Sequence, residues 1–220
     1  MEADYRVELG PAAPALELPW TDPEGRSHYV ELRGAASLRE CSVDGKPDRI
    51  TDGITDGIAD RITDRIPEAR RFPALGRFLV DANSQPSAWQ TAKCDVWADQ
   101  TEAMENLYNF GFAHSSYVDL VLAEPAAALR GSLEAHQRLA KEMAQRLEAN
   151  EGLKALAEIV VRRCYFHPGA SLEESDAGYC LTLFLIGYGA TPGEAAECWE
   201  RTLEFAAECL LQLQPREESA

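Results

Sequence analysis

Basic residues are scarce in this chain. Its 220 residues hold 21 lysines and arginines against 37 aspartates and glutamates, which gives a formal net charge of −16 at pH 7. A protein that binds nucleic acid or an anionic membrane draws much of its affinity from lysine and arginine contacts with phosphates. The charge balance therefore argues against both partners, and it leaves a protein partner, including a basic one, or a small molecule.

Long apolar runs are also missing. The longest lies near residues 181–186, far short of the roughly 20 residues that span a bilayer. Residues 1–4 are acidic where a secretory signal would be basic. These features predict a cytoplasmic protein that does not bind membranes.

No motif for catalysis or for a cofactor stands out. Residues 114–119 hold the residue types of a hydrolytic triad, but no Gly-x-Ser-x-Gly turn surrounds either serine. Cys164 and His167 have Cys-x-x-His spacing, yet in a strand these two positions point to opposite faces, which disfavours a zinc site. The six cysteines are spread through predicted core segments, as expected of reduced, buried thiols. We therefore predict no cofactor and no metal, and we favour a non-enzymatic protein.

Short alternating segments occupy the first part of the chain. Residues 5–9, 15–18 and 28–32 each alternate apolar with polar positions, and turn-forming residues lie at 21–25. Residues 1–45 are accordingly predicted to form an N-terminal β-hairpin element.

Residues 46–66 contain a low-complexity repeat in which isoleucine recurs at every fourth position from Ile50 to Ile66. This spacing would place the isoleucines on one helical stripe, but the intervening glycines and Thr-Asp pairs weaken a helix. A cation-binding ladder of aspartates is the alternative, although no Ca²⁺-loop spacing is present. We interpret the segment as a linker.

An internal similarity marks the domain predicted for residues 67–220. Residues 91–149 and 160–213 align, each with two strand-like runs followed by a long amphipathic helix. Each helix can bury its apolar stripe only against a sheet face. The pattern predicts an α+β fold of duplicated β-β-α units, with a four-stranded, mainly antiparallel sheet and two long helices on one face.

Alternation along these strands sorts their side chains onto two faces. The face toward the helices is predicted to carry core-type residues, namely Cys94, Val96, Val118, Leu120, Leu122, Cys164, Phe166, Cys180 and Phe184. The other face is aromatic and ionisable, and we predict that it binds a ligand or partner through Lys93, Asp95, Trp97, Tyr117, Asp119, Arg163, Tyr165, His167 and Tyr179. A shift of one residue would exchange the two sets.

Three functions fit such a surface. The first is a non-enzymatic acidic protein-interaction module or chaperone-like adaptor, as a homodimer, that binds a protein partner through the sheet face. The element order is similar to that of small acidic secretion chaperones and of duplicated ligand-binding domains. The second function is a small-molecule binding domain with a groove on the same face. The third is an enzyme that uses Asp119, Tyr117 and His167 as acid-base groups.

Overall fold

A computed structural model describes residues 1–18, 62, 65–84, 87–100, 107–124, 126–166, 176–213 and 215. These residues combine strands and helices, as the predicted α+β class requires. The strands are β1 (Glu2–Glu8), β2 (Leu16–Leu18), β3 (Trp89–Gln100), β4 (Phe112–Leu122), β5 (Ala155–Phe166) and β6 (Asp176–Gly189). The helices are α1 (Pro67–Arg71), α2 (Pro73–Asn83), α3 (Leu133–Glu148) and α4 (Pro192–Gln212), with a short 3-10 helix at Ala126–Leu129.

One sheet contains all six of these strands, in the order β1-β5-β6-β4-β3, and β2 also pairs with β5. The strands β3, β4, β6 and β5 pair antiparallel, whereas β1 and β2 both run parallel to β5. The sheet is therefore mixed, and the prediction of a four-stranded sheet is wrong in strand number. The strands β1 and β2 extend the main sheet. The segment predicted to pair with residues 15–18 in a hairpin, residues 28–32, lies outside the described residues, so that hairpin stays a prediction.

The predicted duplication is not reproduced in the strand register. The element order β3-β4-α3-β5-β6-α4 follows the sequence pattern, and Cys94 pairs with Val118 in the first hairpin. The sequence alignment would pair Cys164 with Cys180 in the second hairpin, but Cys164 pairs with Gly178. A register shift between Thr91 and Lys93 interrupts β3 as well. The two hairpins are thus not equivalent residue by residue.

The helices pack on one face of the sheet around the main core. At the start of α4, the Thr191 hydroxyl accepts a hydrogen bond from the Glu194 backbone N–H at 3.2 Å, and the Glu194 carboxylate accepts one from the Ala190 N–H at 2.9 Å. This is the capping arrangement that the sequence Thr-Pro-Gly-Glu at residues 191–194 favours, with proline in the first turn of the helix. The helix α4 lies directly on β6, because a Cβ atom added at Gly187 would overlap the backbone nitrogen of Trp199.

The end of the isoleucine repeat belongs to this core. Ile62 is 1% exposed, and Ile66 packs against the same cluster. The carbonyl of Ile62 accepts a hydrogen bond from the Ile66 N–H at 3.0 Å, which begins a helical turn ahead of α1. The rest of the repeat lies outside the described residues, so its interpretation as a linker stays a prediction.

The described cysteines are free thiols. Cys164, Cys180 and Cys209 are buried, and Cys94 and Cys198 are half-buried. This agrees with the predicted reduced state for the described part of the chain, while Cys41 lies outside it.

Candidate functional site

The candidate site lies on the sheet face that points away from the helices. Directly opposite residues on antiparallel strands share a face. Lys93, Asp119 and Thr182 therefore form one row across β3, β4 and β6. Asp95 and Tyr117 lie in the next row of the same face. We call this surface the polar face.

The structure places the predicted site residues on two different faces. Those of β3 and β4 are on the polar face, as predicted: Lys93, Asp95, Trp97, Tyr117 and Asp119. Those of β5 and β6 are not. The Tyr179 ring lies 5.8 Å from the His136 ring of α3, on the helix face. Arg163 pairs with Tyr179, and Tyr165 pairs with Ala177, so both share the face of Tyr179. His167 lies outside the described residues.

The predicted core set is wrong for the same two strands. Cys164, Phe166, Cys180 and Phe184 lie on the polar face rather than beneath the helices. There, Cys164 and Cys180 form a second, smaller core with Leu16, Leu18 and Val121. The prediction transferred the alternation of the first hairpin to the second. However, β6 pairs with β4 so that Thr182 lies opposite Asp119, and this register places the even-numbered residues of β6 and of its partner β5 on the polar face.

A cavity of about 320 Å³ opens on the polar face. Lys93, Tyr117, Asp119, Arg162, Cys180 and Thr182 line it from the sheet, and residues 14–17 form its remaining wall. The volume falls at the small end of the range for pockets that bind small molecules. Arg162, Cys180 and Thr182 were missed by the sequence analysis. The signal that could have found them is Thr182, a polar residue within the apolar run of β6.

Asp119 is the most deeply buried charged side chain of the cavity, at 7% exposure. Its Oδ1 atom accepts a hydrogen bond of 2.5 Å from the Thr182 hydroxyl. Burial raises the pKa of Asp119, while the Thr182 hydrogen bond and the positive charges of Arg162 and Lys93 act in the opposite direction. The net shift is upward, so Asp119 holds its proton more strongly than an exposed aspartate does.

Arg162 connects the cavity to the edge of the sheet. Its Nε and Nη2 atoms donate to Glu8 Oε2 at 3.1 and 3.0 Å, and its Nη1 atom donates to Thr182 Oγ1 at 3.3 Å. The Thr182 hydroxyl therefore accepts from Arg162 and donates to Asp119. These contacts form a continuous polar network from Glu8 on β1 to Asp119 on β4.

Tyr117 forms an aromatic wall beside this network. Its ring lies 5.9 Å from the Phe184 ring and 6.4 Å from the Trp97 ring. Burial and the negative charges of Asp119 and Asp95 raise the pKa of Tyr117. The phenol therefore stays protonated at neutral pH and is available as a hydrogen-bond donor.

The cavity combines charged groups of both signs. Lys93 and Arg162 bring two positive charges to the cavity, and Asp119 and Glu17 bring two negative charges. Glu8 forms an ion pair with Arg162 beside the cavity, and the whole chain has a net charge of −16. Asp119 and Tyr117, two of the three proposed acid-base groups, lie together in it, but His167 lies outside the described residues. The described part of the chain contains no cluster of histidine, cysteine, aspartate and glutamate suited to a metal ion.

The remaining surface adds one feature to the site. Trp97, next to Tyr117 on the polar face, is 37% exposed.

Among the described helices, none is long and apolar enough to cross a membrane. No protein-family model, curated protein or solved structure matches this chain.

Proposed function

We propose that this protein binds a small polar molecule in the cavity of the polar face. The observation that carries the proposal is the nine-tenths buried carboxyl of Asp119, held by Thr182 in the wall of a cavity of about 320 Å³. Placing a carboxyl group in such a site costs folding free energy unless polar partners offset the cost. Pockets with a few convergent polar groups and titration behaviour altered by burial are the usual places for ligand binding.

A thermal-shift screen tests this proposal. The panel contains monocarboxylates, ammonium compounds, amino acids and uncharged polyols, each added to the full chain. A ligand present at about 100 times its Kd adds about 2.7 kcal/mol to the free energy of unfolding. For a chain of this size, that gain raises the Tm by roughly 5–10 °C.

The control variants decide whether a hit binds in the cavity. Asp119→Asn should lose most of the Tm increase, because the amide lacks the carboxylate charge. Asp99→Asn, at an exposed position of the neighbouring edge strand β3, should keep it. A panel without any hit, or hits that protect Asp119→Asn as well as the wild type, would refute the cavity as a binding site.

A protein partner is the second candidate, and the exposure of Trp97 favours it. Tryptophan is enriched at the energetic centres of protein interfaces. In this proposal the protein is an acidic adaptor, and a basic partner or a second copy contacts the polar face through Trp97. Light scattering of the purified chain and of Trp97→Ala separates the candidates: a loss of self-association with unchanged ligand hits supports an interface, and an unchanged scattering mass rejects the homodimer.

A further inference from the structure

We infer that the ligand of the cavity carries an ammonium and a carboxylate group on one carbon atom, as an α-amino acid does. This inference rests on the proposed ligand-binding function and specifies its chemical class. It depends on how Lys93 and Asp119 are arranged, and on the charge that surrounds them.

Lys93 and Asp119 bring opposite charges to one place in the cavity. They are directly opposite each other on β3 and β4, so their side chains leave the sheet on the same face. The Cβ atoms of such a pair are about 4.5–5.5 Å apart. A ligand that contacts both therefore meets opposite charges that enter the cavity from neighbouring strands at one cross-strand position.

Asp119 is the acceptor for the ammonium group. Its Oδ1 atom already accepts from Thr182. A carboxylate has two oxygens and accepts more than one hydrogen bond, so it retains capacity for a ligand donor. An ammonium group is the donor that best offsets the cost of a buried carboxylate.

Lys93 and Tyr117 are the donors for the carboxylate group. The lysine ammonium has three N–H donors, so it can bind a ligand oxygen in addition to its other contacts. The phenol of Tyr117, protonated at neutral pH, lies in the neighbouring row of the same face. Arg162 is less suited to this role, because Glu8 and Thr182 already accept hydrogen bonds from it.

The charges that line the cavity favour a zwitterion over a ligand with charge of one sign. A ligand with only negative charge would meet Asp119 and the field of a chain with a net charge of −16. A ligand with only positive charge would pair with Asp119 and Glu17 but would offer no acceptor to Lys93. A zwitterion satisfies both signs, and the remaining wall, which includes Leu16 and Cys180, leaves space for its side chain.

Calorimetric titration with matched probes tests this inference. The probes are the twenty L-α-amino acids, together with the N-acetyl and the carboxamide derivative of each one that binds. Acetylation removes the ammonium charge, and amidation removes the carboxylate charge. Each change removes one charge-assisted hydrogen-bonding group, so we expect each derivative to bind about ten- to a hundred-fold more weakly than its parent.

The variants assign each charge to its residue. In Asp119→Asn the preference for the amino acid over its N-acetyl derivative should disappear, and in Lys93→Met so should the preference over the carboxamide. Both preferences should persist in Asp99→Asn. Each preference is a ratio measured within one variant, so a partly unfolded preparation does not change it.

Two different failures are distinguishable. If no amino acid binds but another compound of the thermal-shift panel does, and Asp119→Asn abolishes that binding, the zwitterion inference is wrong while the binding function stands. If amino acids bind with preferences that neither variant alters, the cavity assignment is wrong. If no compound binds, both proposals fail.

Discussion

The hydrogen bond between Thr182 and Asp119 gives the most direct test of the buried network. Thr182→Val replaces the hydroxyl by a methyl group of similar size, which removes the 2.5 Å hydrogen bond to Asp119 and the 3.3 Å contact from Arg162. A hydrogen bond to a charged group contributes about 1.5–3 kcal/mol to stability. We therefore expect the free energy of unfolding to fall by about 2 kcal/mol near neutral pH, and the Tm by roughly 4–8 °C.

The pH dependence of this loss of stability shows whether Thr182 donates its hydrogen bond to the ionised carboxylate of Asp119. The pKa of Asp119 in the folded protein is raised above its ordinary value of 3.8. Between the ordinary and the raised value the folded state binds more protons than the unfolded state, so stability decreases as the pH rises through this window. Without the Thr182 hydroxyl, the pKa of Asp119 should rise further. The cost of Thr182→Val should consequently increase with pH, and should decline toward the roughly 1 kcal/mol of a neutral hydrogen bond in acid.

Urea unfolding of four proteins from about pH 4, near the ordinary pKa of an aspartate, to about pH 8 measures this dependence. The proteins are the wild type, Thr182→Val, Asp119→Asn and the double variant, which together form a double-mutant cycle. Thr202→Val is the matched control, since this buried hydroxyl donates to the Cys198 carbonyl at 2.8 Å and contacts no carboxylate. Its cost should not change with pH. A cost of Thr182→Val that is independent of pH, and equal in the wild type and in the Asp119→Asn background, would refute the reasoning.

Three further predictions concern the scaffold. Gly187→Ala should lower the free energy of unfolding, measured in urea, by about 1–3 kcal/mol or more, because its Cβ would overlap the α4 backbone. Gly193→Ala is the control and should not lower it, since nothing lies within 4 Å of its Cβ position. Ile62→Ala should cost about 2–5 kcal/mol in the same assay because Ile62 is buried in the main core, and a cost below about 0.5 kcal/mol would contradict that position. Burial lowers the pKa of His136, so the unfolded state binds its proton first as the pH falls. Stability should then decline below about pH 6.5, by up to about 1.4 kcal/mol per pH unit for this residue, and His136→Gln should flatten that slope.

The sequence was sufficient to predict which face of the sheet a side chain occupies where polar and apolar positions alternate clearly. In β4, the run Tyr117, Val118, Asp119, Leu120 places its polar members on one face, and the structure has them there. The amphipathic pattern of residues 192–212 predicted the helix α4 in the same way, and the capping hydrogen bond at Thr191 marks its start. Such local patterns are strong because burying a polar side chain without a partner costs more free energy than any alternative placement.

The sequence was insufficient for β5 and β6, where both faces carry apolar residues. Val160 and Val161 are both buried, and so are Cys180 and Leu181. Alternation therefore does not indicate which side chains of either strand point toward the helices. Arg162 and Arg163 are adjacent arginines, and only the strand register places the first of them in the cavity. Central strands that are covered on both sides are expected to be ambiguous in this way.

The position of the first two strands decides whether the cavity exists at all. The strand β1 runs parallel to β5 and places Glu8 opposite Arg162, where it accepts two hydrogen bonds from the guanidinium. The chain then leaves the edge, turns with a hydrogen bond from the Ala13 N–H to the Gly10 carbonyl, and returns as β2 with Leu16 packed on the second core. Residues 14–17 thereby become one wall of the cavity. A ligand in the cavity would contact both this wall and the central strands, so its binding would stabilise the pairing of the N-terminal strands with β5. The coupling is reciprocal: the pairing of these strands favours ligand binding by the same free energy.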